Sequence, residues 1–340
     1  MSKTENQKYK KLKLNRLPEA VEDFLNYLES IKGKSPNTIE AYTIDLRLFF
    51  RFLKIHLGIV EITNDIEFKN IIISDIDLDI IKDIQLRDLY AFLKFLDKER
   101  NNSSHAKARK VATLKSFFNF LNLKLKVIKN NPAAELESPK IEKRNPIHLD
   151  LNESLNLLSS MDKMDRNYYR DYCILTIFLN CGLRLSELCG IQIDNIRKDT
   201  LTVIGKGNKE RTVYLNKACV SAINNYMNMR EVKKIAIGDR NTLFISMQNR
   251  ALSKRSVENL VKKHIGNSSI TTKKVSPHKL RHTAATLMYK HGNVDIRALQ
   301  SILGHESIST TQIYTHVDNE QLRDAANSNP LSNIKNEPDK

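Results

Sequence analysis

The sequence predicts a mainly helical protein with one small β-sheet, an α+β chain in two parts. Three observations support that expectation. Apolar residues recur at helical spacing in two long stretches: Ile39, Tyr42, Leu46, Phe49, Phe50 and Leu53, then Val111, Leu114, Phe117, Phe118 and Leu121. The runs LTVIG (201–205) and ERTVYL (210–215) are rich in β-branched residues and flank KGNK, a hairpin signature with Gly207 and Asn208 at the turn. Between these regions SPKIEKRNP (138–146) has two prolines and four charges, mostly basic. Proline disfavours helix in the residue before it, so this stretch reads as an extended linker.

The elements follow in order. Residues 1–16 form a basic, flexible tail, with five lysines and one glutamate in positions 1–14. A helical domain spans 17–137. Within it Ser35-Pro36 matches an N-cap followed by proline at the first helical position, opening the first apolar stripe. The second stripe runs from Ala106 to Leu121. Segment 56–83 holds seven acidic residues against two lysines, and its isoleucine-rich IIISDIDLDII reads as a short helix or strand insertion whose acidity argues against a nucleic-acid face. After a linker at 138–147, a second domain covers 148–326. Tyr172 to Cys181 is a buried helix stopped by Gly182. Ser276-Pro277 opens the helix HKLRHTAATLMYKHG, and VDIRALQSILGH is another helix, closed by Gly304. Ser309 caps a last short helix bearing Tyr314. A tail covers 327–340.

Composition narrows the function. A chain of 340 residues suggests two domains of about 150 residues each. Lys and Arg number 55 against 39 for Asp and Glu, a net charge of +16, and such an excess points to a polyanion. No apolar run reaches the length of about 18 residues that spans a bilayer, and the N-terminus lacks the apolar core of a secretory signal. A cytoplasmic protein with no membrane partner is expected. Cys173, Cys181, Cys189 and Cys219 fit no zinc spacing and read as free thiols in a reducing compartment.

Three constellations compete for the chemistry. His278 and His282 stand four apart on one helix, as two zinc ligands would, but Lys279, Leu280 and Arg281 lie between them, and two cations beside a dication are unfavourable. The glycines and lysines of GKGNKE (205–210) lack phosphate-loop spacing and sit in a hairpin. The third reading joins Arg184, Lys206, His278, Arg281, His305 and Tyr314 around one phosphodiester. Two arginines clamp the non-bridging oxygens of a five-coordinate transition state. A tyrosine becomes a nucleophile once a positive surround lowers its pKa from about 10. A lysine on a mobile hairpin protonates the leaving oxygen, and histidines complete the clamp or shuttle a proton. This scheme calls for no metal and no cofactor. Singly, each residue has a plainer reading: Arg184 pairs with Glu187, Lys206 is a solvated turn lysine, Tyr314 is a core aromatic, and His282 packs structurally beside the clamp.

Four segments in order, CGLRLSEL (181–188), GKGNKER (205–211), HKLRHTAAT (278–286) and LGHESISTTQIYTH (303–316), resemble the motif boxes of the tyrosine recombinases, most closely the Xer type. SPNTIEAYTIDLRLFFRFL and NNPAAELESPK resemble the helical, SAM-like core-binding domain of these enzymes. The resemblance implies a core-binding domain and a catalytic domain closing as a C-shaped clamp on double-stranded DNA. It implies that Arg184 and Arg281 bind the scissile phosphate, Lys206 is the general acid, His278 assists proton transfer, His305 bonds the phosphate and Tyr314 attacks. It also implies a homo- or hetero-tetramer joined through the C-terminal segment, a Holliday junction, and resolution of chromosome or plasmid dimers at cell division, with a septal DNA translocase as a possible activator. The rival readings are a mobile-element integrase, a non-catalytic DNA-binding protein on this scaffold, and a relaxing topoisomerase. Only some 16 residues precede the first helix, which favours the Xer type over an integrase with an added arm-binding module.

Further DNA contacts are expected from Thr38, Tyr42 and Arg47 on one helix and Lys107, Arg109 and Lys110 on another, although Tyr42 also suits the core. Lys254, Arg255, Lys262, Lys263, Lys273 and Lys274 suggest a phosphate-contacting strip.

Overall fold

The computed structural model describes residues 16–61, 67–141, 147–205, 209–268, 270, 274–292, 294–305 and 307–311. The chain divides into two compact units, Met1–Lys143 and Arg144–Lys340. The expected tails apart from Arg16, residues 142–146 of the linker, the turn residues Lys206, Gly207 and Asn208, and Tyr314 lie outside the described residues.

The first unit is helical: α1 (Glu19–Ser30), α2 (Pro36–His56), α3 (Leu78–Lys82), α4 (Leu86–Lys98) and α5 (Ser104–Leu123). Its core is a cluster of phenylalanines from four of these helices. Phe49 meets Phe92 edge-on at 5.2 Å between ring centroids, and Phe24 meets Phe117 at 5.5 Å. Each such ring removes enough apolar surface from water to contribute about 2–3 kcal/mol. Ser35 precedes α2 as expected, but its hydroxyl lies 3.0 Å from Thr38 Oγ1 and accepts no backbone amide. The proline at the start of α2 lacks an N–H, which lowers the demand for such a cap. Ser276 likewise precedes its proline-led helix without a side-chain cap.

The described part of segment 56–83 forms a 3₁₀ turn (Phe68–Asn70) and the single-turn helix α3, with no strand among its described residues. Asp77 starts α3 by accepting the amides of Asp79 and Ile80. Ile71, Ile73, Ile76 and Ile81 are buried. Lys54 of α2, 4% exposed, bonds Asp75 Oδ2 at 2.6 Å and the carbonyl of Ile72 at 3.1 Å. The segment therefore belongs to the core of the unit.

The second unit holds α6 (Leu151–Ser159), α7 (Tyr168–Cys181), α8 (Leu185–Cys189), a sheet, α9 (Lys217–Met229), α10 (Lys254–Asn267), α11 (Pro277–His291) and α12 (Ile296–Leu303). The long apolar run of α7 is buried on nearly every side, against α9 and α11. The expected hairpin forms from β2 (Thr200–Ile204) and β3 (Glu210–Tyr214), and a short strand that the pattern did not reveal, β1 (Ile196–Arg197), extends it antiparallel. Leu201 pairs with Val213 and Val203 with Arg211, so Leu201, Val203 and Val213 face the core. No described helix is long and apolar enough to cross a membrane.

Candidate active site

The site lies in the second unit and is organised around a buried carboxylate. Arg184 precedes α8, and Glu187 in its first turn folds back to accept the Arg184 amide on Oε2 at 2.7 Å and Arg184 Nη1 on Oε1 at 2.8 Å. Arg211, on β3, donates Nη2 to the same Oε2 at 2.8 Å. Arg281, one turn into α11, places Nη1 3.8 Å from that oxygen. The Glu187 side chain has no exposed surface. Arg281 also donates Nη1 to the carbonyl of Gly182 and Nη2 to that of Leu303, each at 2.7 Å, and Arg184 donates Nη2 to the carbonyl of Gly304 at 2.7 Å. These acceptors sit at the C-terminal ends of α7 and α12, where the helix dipole favours cations.

The two stop glycines thus have a second role. Gly182 (φ 59°) and Gly304 (φ 63°) are left-handed. A Cβ on Gly304 would fall 2.7 Å from Arg211 Nε, and one on Gly182 would fall 2.9 Å from Leu303 Cδ2. Glycine is required at both by the backbone, and also by the closeness of Arg211 at Gly304 and of Leu303 at Gly182.

Three guanidiniums face one carboxylate, leaving the cluster positive. A cleft of about 800 Å³ opens beside it, lined by Arg184, Arg281, His278 and His305, with Lys254, Arg255 and Lys262 of α10 along the rim. A second cleft of about 590 Å³ shares Arg184 and His305 and runs between the hairpin and α12. His305 Nδ1 lies 3.0 Å from the hydroxyl of buried Thr311. Burial, then Arg281 and Arg184, push the His305 pKa down to about 4. Burial and Arg281 also lower that of His278. These rings are neutral at pH 7 and act as hydrogen-bond donors or acceptors rather than as fixed charges. Burial and the neighbouring Arg184 lower the pKa of Arg211, and Glu187 offsets part of that effect. Fixed donors around a cationic pocket can bind a tetrahedral or five-coordinate anion and stabilise charge that develops on it.

Four of the six candidate residues, Arg184, His278, Arg281 and His305, therefore line one cleft; Lys206 and Tyr314 lie outside the described residues. His278 and His282 face one another, and the described residues contain no cluster of ligands able to hold a metal. Two residues of the site were missed as parts of the machinery. In the sequence Glu187 reads only as a plain partner of Arg184, although a glutamate three residues after a helix cap is a detectable signal. Arg211 closes the GKGNKER box but has no local signature.

The other expected DNA contacts divide. Lys110 is corrected: it is 5% exposed, with its ammonium 3.2 Å from buried Asp45, an internal ion pair rather than a surface cation. Arg109 bonds the same Asp45 at 2.5 Å while remaining partly exposed, and Lys107 bonds Asp97 at 2.6 Å. Tyr42 stacks on Phe24 at 6.0 Å and packs against the core, while Thr38 and Arg47 are half-buried. Within the basic strip, Lys254, Arg255 and Lys262 line the cleft, but Lys263 bonds Asp165 at 2.5 Å instead. Lys274 is exposed and Lys273 lies outside the described residues. Cys173, Cys181 and Cys219 are buried free thiols, and Cys189 is half-buried, its pKa pushed up to about 11 by burial.

The sequence pattern of the phage integrase family matches residues 148–321, and that of the SAM-like N-terminal domain of phage integrases matches residues 21–71. A tyrosine recombinase XerC from Caldanaerobacter subterraneus subsp. tengcongensis is 55% identical over 93% of this chain and 88% of its own length. The chain belongs to the phage integrase family. As a member it is a site-specific tyrosine recombinase. Another relative of this recombinase, a XerC from Leptospira interrogans serogroup Icterohaemorrhagiae, is 32% identical over 91% of this chain and 92% of its own. The fold is shared with a crystal structure of the XerH site-specific recombinase bound to its difH substrate, at TM-score 0.65 and 22% identity, covering 90% of this chain and 84% of that one.

Proposed function

We propose that the recombinase cuts and rejoins double-stranded DNA through a 3′-phosphotyrosine, and that it resolves chromosome or plasmid dimers before cell division. The observation that supports this most is the meeting of Arg184 and Arg281 at Glu187 with His278 and His305 on the same cleft. In this scheme the two arginines and His305 hold the non-bridging oxygens of one phosphodiester. The phenolic oxygen of Tyr314 bonds to phosphorus as the bond to the 5′ oxygen breaks. The leaving oxygen takes a proton from Lys206, the phenolic proton passes to solvent, and His278 assists the transfer. One ester replaces another, so rejoining by a 5′ hydroxyl of the partner strand needs no nucleotide hydrolysis. A tetramer, exchanging contacts through the residues after Asp318, carries the strands through a Holliday junction. Resemblance to the XerC relatives supports a cytoplasmic, nucleoid-bound protein working in chromosome partition, with a septal DNA translocase as activator.

The test is a nicked suicide substrate that traps the covalent complex. Tyr314→Phe is expected to abolish the adduct while DNA binding persists; an adduct that survives places the nucleophile elsewhere. Lys206→Ala is expected to slow cleavage of a 5′-oxygen substrate far more than that of a 5′-thio substrate, whose leaving group needs no proton. Equal slowing of both would remove Lys206 from the acid role.

A further inference from the structure

His278 and His282 stand one turn apart on α11, and their Nε2 atoms lie 3.0 Å apart with the rings nearly perpendicular, at 76°. At that distance one nitrogen must carry a hydrogen and the other a lone pair. Two N–H groups or two lone pairs would repel. The contact therefore selects a tautomer for each ring, and Nδ1 is the nitrogen of His278 left to meet a substrate.

We propose that His282 is a positioning residue: it donates Nε2–H to Nε2 of His278 and so keeps the single ring proton of His278 on Nδ1. The surroundings support this direction. Arg281 on the same helix acts on both rings, and His148, which precedes α6, acts on His282. Arg184 and His305 line the same cleft as His278, as do Lys254, Arg255, Lys262 and the acidic Glu258 of α10. A second proton on the pair is opposed by this largely cationic wall. Burial, then His278, Arg281 and His148, push the His282 pKa down to about 4. The cleft that His278 lines with Arg184, Arg281 and His305 is built to take an anion, which a neutral ring nitrogen meets as a donor, so the hydrogen of His278 belongs on Nδ1 and its Nε2 accepts from His282. At neutral pH His278 is then an uncharged donor at Nδ1. Its Nδ1–H steadies charge on a substrate or phenolic oxygen and stays on the ring throughout; the phenolic proton leaves to solvent on cleavage and returns from solvent on rejoining. A neutral imidazole used as a donor near a helix N-terminus is an established catalytic device.

The catalytic part of this inference rests on the recombinase reading, but the tautomer does not, so the two are tested separately. In the full chain labelled with ¹⁵N-histidine, without DNA, the His278 resonances, assigned with His278→Asn, are expected to show hydrogen on Nδ1 and a lone pair on Nε2 at pH 7. Hydrogen on Nε2 overturns the proposal, whatever the activity. In single-turnover cleavage of the suicide substrate, His282→Leu is expected to lower the rate by about 10- to 100-fold with unchanged DNA affinity. His282→Gln, whose amide can still donate, is expected to recover most of the rate and to keep the pH–rate profile of the parent. A His282→Leu protein that cleaves at the parental rate, or a His282→Gln protein as slow as His282→Leu, overturns it. If His282→Leu fails to fold, the resonance measurement on the parent protein and the glutamine variant still decide.

Discussion

Glu187 Oε2 accepts Arg211 Nη2 at 2.8 Å, joining the first turn of α8 to strand β3. The same carboxylate holds the backbone and side chain of Arg184, so one buried charge positions an arginine of the cleft and braces the hairpin that leads to Lys206. Removing one partner of a buried ion cluster leaves the others desolvated and unpaired. Glu187→Ala is expected to lower the unfolding free energy by about 3–5 kcal/mol, read by urea denaturation. Cleavage is expected to fall even where the variant is fully folded, because Arg184 loses two of its anchors. A folded variant that cleaves normally would separate Glu187 from the site.

Gly304→Ala tests the close approach of backbone and arginine. A left-handed alanine costs about 1–2 kcal/mol, and its Cβ would fall 2.7 Å from Arg211 Nε. Thermal stability should drop, and suicide cleavage should fall further than stability alone accounts for, since Arg184 donates to the Gly304 carbonyl. Arg211→Met in the same chain relieves the clash but takes a partner from buried Glu187, so the double variant is expected to be no more stable than Gly304→Ala.

His305 makes stability depend on pH in a defined direction. The ring titrates at 6.5 in the unfolded chain and at about 4 in the folded one. Between those values the unfolded chain binds the extra proton. The contribution is therefore full above pH 6.5 and is lost as the pH falls towards 4. Urea midpoints measured from pH 7.5 to 4.5 should decline on the acid side, and His305→Gln should remove part of that slope.

The basic residues divide into surface and interior cations, and salt dependence separates them. Arg255, 81% exposed on its side chain and lining the cleft, is expected to contribute to phosphate binding. Arg255→Ala should reduce the slope of log K against log salt by about 1. Lys110→Met should leave that slope unchanged. Asp45 supports the interior pair: it holds Lys110, Arg109 and the hydroxyl of Thr113, and Asp45→Ala is expected to destabilise the first unit by about 3–5 kcal/mol.

The sequence by itself determined the helical class, the hairpin, the glycines that end α7 and α12, and the four ordered boxes that mark a tyrosine recombinase. Each is a local pattern of apolar period, turn chemistry or short motif, which neighbouring residues impose on one another along the backbone. The folding of segment 71–83 into the core was not legible, because alternating Ile and Asp suit a strand edge and a loop equally well until Lys54 and Asp75 meet. The tertiary structure alone decided that Arg184, Arg211 and Arg281 share Glu187, that Lys110 is an internal charge while Arg255 faces a cleft, and that His278 and His282 meet through their Nε2 atoms. Those outcomes depend on which remote elements pack together and on how much water is left around each charge. Burial turns a lysine that the sequence marks only as basic into part of an ion pair.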